Sequence, residues 1–283
     1  MRLTKAVITA AAKHQSTLPL QVLIDRDGVQ KTALQILIED VLCAGIQDIG
    51  VVIRAEDEAV YTAAAGEHAR RLHFVSQPSP RGYGHAIFCA RSFVGKEPFL
   101  HLVGDHLSVS RLSDKSCAQQ LVEVAEREDA AVSAVQATRE TLLPNFGAVG
   151  GKRVAGQPGL YVIDNVLEKP TPTEAEQVLT VPGLRAGHFL CFFGMHVLTP
   201  AAMTLLETHL ANSASPSATP APVQLSDSLA ELARRERYLA YEIQGQRYDL
   251  GVKYGLLNAQ LALALSGNER ADVLAQMIEL IAK

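Results

Sequence analysis

Nothing in this chain approaches 18 consecutive apolar residues, so no segment is expected to span a membrane. Cysteine is scarce and scattered. Cys43, Cys89, Cys117 and Cys191 form no C-x-x-C pair and no closely spaced secretory framework. Cys43 and Cys89 fall on apolar helical faces and Cys191 in an apolar stretch, so the cysteines are expected to be reduced, buried small hydrophobes. Met1-Arg2-Leu3-Thr4-Lys5 leads into an apolar run too brief for a signal peptide, and the cytoplasm is the expected compartment. An excess of positive charge is missing too. With 26 Lys and Arg against 30 Asp and Glu, the net charge of −4 gives no global attraction to nucleic acid or an anionic membrane. A phosphate-bearing ligand must therefore be held by local donors. One further absence is local: Ala11-Ala12-Lys13-His14-Gln15-Ser16-Thr17-Leu18-Pro19, directly after the first apolar strand, contains no glycine.

What is present is an ordinary globular composition, 48% hydrophobic and 20% charged, over 283 residues. That length suits two small domains or one large α/β unit. Short apolar strands are expected at 6–8, 48–53, 73–75 and 99–103, with helices at 32–44, 56–67 and 84–93 between them. Such alternation implies βαβ units and a parallel sheet covered on both faces. The second half is less regular, with strands expected at 130–137, 161–167, 188–193 and 238–243 and helices at 201–210 and 226–235. The Ser/Pro/Ala tract at about 211–222 reads as a mobile surface loop, and two helices close the chain at about 252–282. We find no internal repeat. The single-domain reading over 1–283 is preferred, because only about 60 residues follow the tract and they contain one of the motifs below.

Short polar motifs stand where strands are expected to end. In an open parallel sheet, ligands bind outside the carboxyl ends of the strands. Gly104-Asp105 closes the run Phe99-Leu100-His101-Leu102-Val103. A carboxylate there can hold a divalent metal against a triphosphate, or can simply cap the next turn. Tyr248-Asp249-Leu250-Gly251 offers the same two readings. Gln77 with Gly82-Tyr83-Gly84-His85 can bring backbone amides and a side-chain amide to a base, or form a tight turn. Glu168-Lys169-Pro170 ends a strand in a charged pair. Lys169 can bind a sugar phosphate as a point charge, or the pair can be a solvated terminus. Asn145-Phe146-Gly147 can offer amides to sugar hydroxyls, or be an ordinary turn.

In their order and spacing these motifs resemble the bacterial UTP–glucose-1-phosphate uridylyltransferases, within the sugar-phosphate nucleotidyltransferase superfamily. The likeness runs from Lys5 to about Ala264. It includes Ala44-Gly45-Ile46, the helix after Gly84-His85, Gly194 through Pro200, and Gln224-Leu225-Ser226-Asp227. It implies a Rossmann-like α/β fold with a mixed, mostly parallel central sheet flanked by helices. The implied reaction has no covalent enzyme intermediate: a sugar-1-phosphate oxygen attacks the α-phosphorus of UTP in line, and pyrophosphate leaves. Asp105 and Asp249 fall on the two Mg²⁺ aspartates, and with Lys169 form the catalytic set. Ala11, Ala12, Lys13, Gln77, Gly82 and Gly104 fall on the nucleotide side; Gly147, Glu168, Lys169 and Gly194 fall on the sugar-phosphate side, Gly194 just before a strand. Small-molecule partners follow, a nucleoside triphosphate and a sugar 1-phosphate, with no nucleic acid and no membrane; self-association is left open.

The first loop departs from the pattern. Where the family has glycine, any residue, glycine, threonine and arginine, this chain has Ala12 to Ser16, and no lysine follows Pro19 where the family places one. Lys13, His14, Arg26 and Lys31 are the candidates to replace the lost charge. The reading from another class is therefore a non-catalytic relative that binds a nucleotide or nucleotide sugar and regulates a partner. A third is an enzyme of the same fold using another sugar or base.

Overall fold

The computed structural model describes residues 1–12, 15–213 and 221–282. Lys13, His14 and most of the Ser/Pro tract lie outside the described residues. The strands, in order, are β1 (Lys5–Thr9), β2 (Val22–Ile24), β3 (Gln30–Thr32), β4 (Asp48–Ile53), β5 (Leu72–Ser76), β6 (Phe99–Val103) and β7 (His106–Ser110). They continue with β8 (Ala131–Arg139), β9 (Ala148–Arg153), β10 (Leu160–Leu167), β11 (His188–Leu198), β12 (Tyr238–Glu242) and β13 (Gly245–Asp249). The helices are α1 (Ala33–Cys43), α2 (Glu58–Ala65), α3 (Tyr83–Cys89), α4 (Arg91–Val94) and α5 (Cys117–Glu128). After them come α6 (Pro172–Val178), α7 (Pro200–Asn212), α8 (Leu225–Arg235), α9 (Gly255–Ser266) and α10 (Arg270–Ile281). Among the described residues no helix is long and apolar enough to cross a membrane.

The strand period of two explains the layers. In β1, Ala6 and Ile8 face a core built with α1, α2, α5 and α9, whereas Val7 faces the opposite core with α3, α7 and α8. Helix α1 shows the matching 3.6 period: Leu34, Leu37, Ile38 and Val41 are buried, each contributing roughly 1.5–3 kcal/mol by burial. Thr32 and Gln35 close a capping box at its start. Cys43, two positions beyond Val41, sits off this stripe and is exposed. That corrects the expectation of a buried thiol. Cys89 is half-buried, Cys117 and Cys191 are buried, and all four are free.

Nine strands form one sheet in the order β5-β4-β1-β6-β11-β8-β12-β10-β9. The first four are parallel, as the regular alternation of the first half required. Strand β11 then enters antiparallel to both β6 and β8, β12 is parallel to β8, and β10 is antiparallel to β12 and β9. The sheet is mixed, with only β10 and β11 running against the rest. Both halves of the sequence contribute to it. Strand β11 is longer than the sequence indicated and contains Gly194, expected just before a strand. Gly194 has φ +91° and lies where the register shifts between Phe192 and His196. A Cβ there would come within 2.8 Å of Val103, so the bulge both needs and exploits glycine. Helix α5, the β2–β3 hairpin and the two-stranded ribbon β7–β13 were not foreseen.

A polar network runs through the buried centre of the sheet. His196 Nδ1 lies 2.6 Å from Ser133 Oγ, which also bonds the Tyr238 hydroxyl. His101 contacts Thr9 Oγ1 at 3.2 Å and the Tyr83 hydroxyl at 3.4 Å, and its ring stacks on that of His196. Burial pushes His196 down to about 3, and burial together with His196 pushes His101 well below 6.5. Both rings are thus neutral in the fold, while in the unfolded chain they gain a proton as pH falls below about 6.5. The unfolded state then binds more protons, so stability declines as pH drops from about 6.5 toward the folded values. At full difference each histidine contributes a slope of about 1.4 kcal/mol per pH unit. Urea unfolding of His196→Asn between pH 6 and pH 4 should show a slope shallower by up to one proton. An unchanged slope would remove the neutral, buried assignment of His196.

Candidate active site

The carboxyl ends of β1, β5 and β6 open onto one cleft of about 530 Å³, a size suited to a small-molecule ligand. From β1 come Ala11 and Ala12, after β5 comes Gln77, and after β6 comes Asp105. Gly82 and Tyr83 line it from the start of α3, and Glu168 and Lys169 from the end of β10. Asp249 enters from β13. A side chamber of about 140 Å³ is lined by Gly147, Gly194, Phe192 and Ser226, and shares Tyr83, His106, Asn145 and Glu168 with the main cleft. Gly104 lines neither. Its N–H donates to Thr9 O at 2.8 Å, and a Cβ would meet Thr9, Ala10 and Pro19. Its glycine identity serves close packing, and its amide is not free for a nucleotide.

The two aspartates, 144 positions apart in sequence, are brought together by backbone pairing. Ribbon β7–β13 sets Asp249 opposite His106 and Tyr248 opposite Leu107, and Leu250 N–H donates to Asp105 O at 2.9 Å. The ribbon is anchored below by Gln120, whose amide donates to Ser110 Oγ and Gln244 O while accepting from Gln244 N. Gly245 allows it to pack onto α5, since a Cβ would lie 2.5 Å from Cys117 Sγ.

The donor atoms of Asp105, His106 and Asp249 all lie within 4.8 Å of one another. Ligands on one ion at about 2.1 Å can be no more than about 4.2 Å apart, so a shift of under an ångström lets the two carboxylates close on a divalent cation. Asp105 Oδ1 accepts from His106 Nδ1 at 2.9 Å. Burial would raise the Asp105 carboxyl, but the His106 hydrogen bond and charge outweigh it and hold it below the usual range, as a carboxylate. Asp249 Oδ1 accepts from Gly251 N–H at 2.8 Å, leaving Oδ2 toward His106. Turn-capping and ligand display are thus divided between the two oxygens of one side chain.

Between β5 and α3, Gln77 is buried and its Nε2 donates to His85 Nδ1 at 3.0 Å. Its Oε1 accepts no hydrogen bond from the described residues, so a carbonyl acceptor is what it offers a ligand. Burial, then Arg81, lowers His85 below 6.5, consistent with an accepting imidazole. Gly82 has φ +101°, and a Cβ would meet Val223 O at 2.6 Å. The glycine lets the 221–224 segment cross the loop closely, where Gly84 N–H bonds Val223 O at 2.9 Å.

The first loop is tied to itself. Gln15 N–H and Ser16 N–H both donate to Ala12 O, at 3.0 and 2.9 Å, and the buried Tyr61 hydroxyl pins Ser16 O at 2.6 Å. These amides are unavailable to phosphate. Among the described residues of the loop, Ala11, Ala12 and Gln15 line the cleft. The expected role of Lys13 lies outside the described residues. The substitutes Arg26 and Lys31 do not line the cleft, and Lys31 is held by Asp25, Asp27 and Glu39.

On the opposite side, Lys169 has φ +46° and an exposed side chain without an ion pair among the described residues. Its N–H donates to Phe146 O at 3.2 Å, tying it to the Asn145-Phe146-Gly147 loop. A Cβ on Gly147 would lie 2.7 Å from Phe192 and 3.1 Å from Glu168, so glycine admits the Glu168 carboxylate. Three residues went unselected in the sequence. His106 is adjacent to Asp105, and Tyr83 stood inside a quoted motif. Arg247 had no signal: it donates to Phe192 O at 2.6 Å and stacks 3.7 Å over the Phe146 ring. Burial pushes its guanidinium down to about 10, and it fixes the loop that bears Gly147. Burial, followed by the charges of Asp105 and Glu168, pushes the Tyr83 phenol well up, so it faces the cleft as a hydroxyl.

Residues 26–263 match the nucleotidyl transferase family. The UTP–glucose-1-phosphate uridylyltransferase 1 of Streptococcus pyogenes serotype M3 is 30% identical over 292 residues, covering 93% of this chain and 90% of the relative. The solved UDP-glucose pyrophosphorylase of Acinetobacter baumannii superposes with a TM-score of 0.72 at 25% identity, covering 99% of both chains. A UDP-glucose pyrophosphorylase solved with UDP-glucose superposes with a TM-score of 0.71 at 22% identity, covering 92% of this chain and 98% of that one, a likeness of fold. Coverage at this level leaves no large part of the chain unmatched, and the chain belongs to the nucleotidyl transferase family, with the bacterial UTP–glucose-1-phosphate uridylyltransferases among its relatives.

Proposed function

We propose that the chain transfers a uridylyl group from UTP to a hexose 1-phosphate, most simply glucose 1-phosphate, releasing pyrophosphate. One observation carries the reading. A single cleft gathers Gln77 and Gly82, the aspartates Asp105 and Asp249, and Glu168 with Lys169, from four separate parts of the chain. A pure binding module has little use for two converging carboxylates. The chain is read as one domain over 1–283, because residues from both halves build the same sheet and the same cleft. A cytoplasmic setting suits four free cysteines and a nucleoside triphosphate substrate.

The roles follow from donor chemistry. Gln77 Oε1 accepts from the N3–H of uracil, whereas cytosine presents an acceptor at that position. Lys169 neutralises the sugar phosphate as a point charge, and Glu168 and Asn145 bond sugar hydroxyls. Arg247 acts through Phe146, holding the sugar-side loop in place. Asp105 and Asp249 hold a divalent ion, Mg²⁺ by family resemblance, and their carboxylates fit one on geometry. Such an ion, when bound, neutralises charge on the α-phosphate and the leaving pyrophosphate. The protein otherwise aligns the sugar-phosphate oxygen with the α-phosphorus and moves no covalent bond of its own. With the Gln15 and Ser16 amides bonded to Ala12 O, those two donors are not free to grip the triphosphate, so the rest of the cleft supplies much of the hold.

The direct test is pyrophosphate release across the four common NTPs and several sugar 1-phosphates. Asp105→Asn and Asp249→Asn should each lower kcat by about 10²-fold or more, with folding intact by circular dichroism. Near wild-type turnover in either variant would falsify the shared ion site. Lys169→Ala should chiefly raise KM for the sugar 1-phosphate, about tenfold or more, with UTP binding little changed in calorimetry. A defect confined to UTP affinity would move this lysine to the other half of the cleft. Gln77→Ala should weaken UTP binding by about tenfold and narrow the preference for UTP over CTP. A uniform loss for both nucleotides would remove its base-reading role.

A further inference from the structure

We propose that His85 is a positioning residue for base selection. By accepting a hydrogen bond at Nδ1 it fixes the Gln77 side-chain amide in the orientation that leaves Oε1 for the ligand, and so sets a preference for uridine over cytidine nucleotides. The inference rests on the base-reading role given to Gln77 in the proposed function and deepens it.

A glutamine amide offers an acceptor or a donor according to which way it is turned, and the two orientations have nearly the same shape. Without neighbours to fix it, Gln77 would meet the N3–H of uracil with Oε1 or the N3 lone pair of cytosine with Nε2, and would select neither. Two neighbours remove that freedom. Gln77 Nε2 lies 3.0 Å from His85 Nδ1 and makes a longer contact of 3.5 Å with Gly82 O. A carbonyl oxygen can only accept, and Gly82 O also receives Ala86 N–H at 3.2 Å as α3 begins. Turning the amide would set Oε1 against that carbonyl and against the imidazole lone pair.

The state of the His85 ring follows from its second contact. Nε2 lies 3.7 Å from Cys89 Sγ, one turn further along α3. A thiol sulfur is a weak acceptor suited to an N–H, and a proton on Nε2 leaves the lone pair on Nδ1. Burial, then the charge of Arg81, lowers the ring below 6.5, which keeps Nδ1 unprotonated at neutral pH. Arg81 is itself anchored, donating to Leu210 O at 3.1 Å and Ser213 Oγ at 2.9 Å.

Both ends of the Gln77–His85 contact stand on fixed backbone. Gln77 N–H donates to Ile53 O at 2.9 Å, and Gly84 N–H ties the start of α3 to Val223 O at 2.9 Å. Gln77 lines the cleft and His85 does not, so His85 acts on a base through Gln77.

The test is calorimetric binding of UTP and CTP to the full chain with Mg²⁺ and without sugar phosphate, read as the ratio of the two Kd values. His85→Leu removes the acceptor and should lower the preference for UTP by about tenfold. His85→Asp places an oxygen acceptor near the position of Nδ1, and should keep most of the preference even where its charge weakens both nucleotides alike. In Gln77→Ala, adding His85→Leu should leave the ratio unchanged, because nothing remains for His85 to orient. Nitrogen NMR of the labelled wild-type protein supplies a check that needs no variant: His85 Nδ1 should resonate as an unprotonated ring nitrogen and Nε2 as a protonated one. An equal loss for both nucleotides in His85→Leu, a lost preference in His85→Asp, a further fall in the double variant, or a proton on Nδ1 would each overturn the proposal. Equal binding of UTP and CTP by the wild type would sink the base-reading role and this inference with it. The expected ratios without pyrophosphate release from any NTP would instead sink the transferase reading and leave this inference standing. Pyrophosphate release with an unchanged ratio in His85→Leu would do the reverse.

Discussion

The antiparallel pairing of β7 with β13 is the constraint on which the site depends. It joins a segment that follows the fourth parallel strand to one near the C-terminal helices. Backbone hydrogen bonds, with their fixed spacing, then bring two carboxylates and an imidazole within 4.8 Å, an arrangement that like charges would not adopt unaided. The arrangement is supported rather than merely permitted. Gln120 satisfies the ribbon's free backbone groups from α5, and Gly245 removes the side chain that would hold the ribbon off that helix. The same strand carries Arg247 toward Phe146 and Phe192, two residues before Asp249 and therefore on the same face. One short strand thus links the Asp105–Asp249 carboxylate pair to the Asn145–Gly147 loop. A disturbance of β13 would reach both halves of the cleft together.

Close backbone approach is the second organising device. Gly82 lets the 221–224 segment cross the loop before α3, Gly147 admits the Glu168 carboxylate, and Gly194 bends β11 beneath His106. In each case a Cβ would fall within 3.0 Å of a neighbour, so these glycines shape the walls of the cleft and need not touch a ligand. The first loop shows the converse. In its described part the Gln15 and Ser16 amides donate to Ala12 O and the Tyr61 hydroxyl fastens Ser16 O. With a net charge of −4 the chain has no long-range field to draw in anions, so any anionic ligand depends on local donors.

Much of the first half was legible because its signals are local. Strands β4 and β6 stand where the apolar runs placed them, α1 lies within the helix expected at 32–44, and the parallel pairing of β5, β4, β1 and β6 follows from strand–helix alternation. The second half was harder to read for a physical reason. Strand β11 pairs with β6 and β8, and β10 with β12, across distances that leave no periodic trace, and a bulge such as that at Gly194 looks like a strand boundary in sequence. Cys43 was misplaced because an apolar neighbourhood resembles an apolar face until the helical phase is fixed by Val41.

The residue types that end the strands are written in the chain: Gln77, Asp105, Lys169 and Asp249 are visible as polar breaks after apolar runs, and their order sufficed to suggest a family. Only folding brings Asp105 and Asp249 together with His106 beside both, and carries Arg247 to the Asn145–Gly147 loop. It also gave Gly104 to packing and not to the ligand. The division follows the range of the forces. Burial and helix capping act over a few residues and leave a pattern in the chain, whereas convergence across a sheet is set by long-range pairing, and no local pattern encodes which distant strand a segment will find.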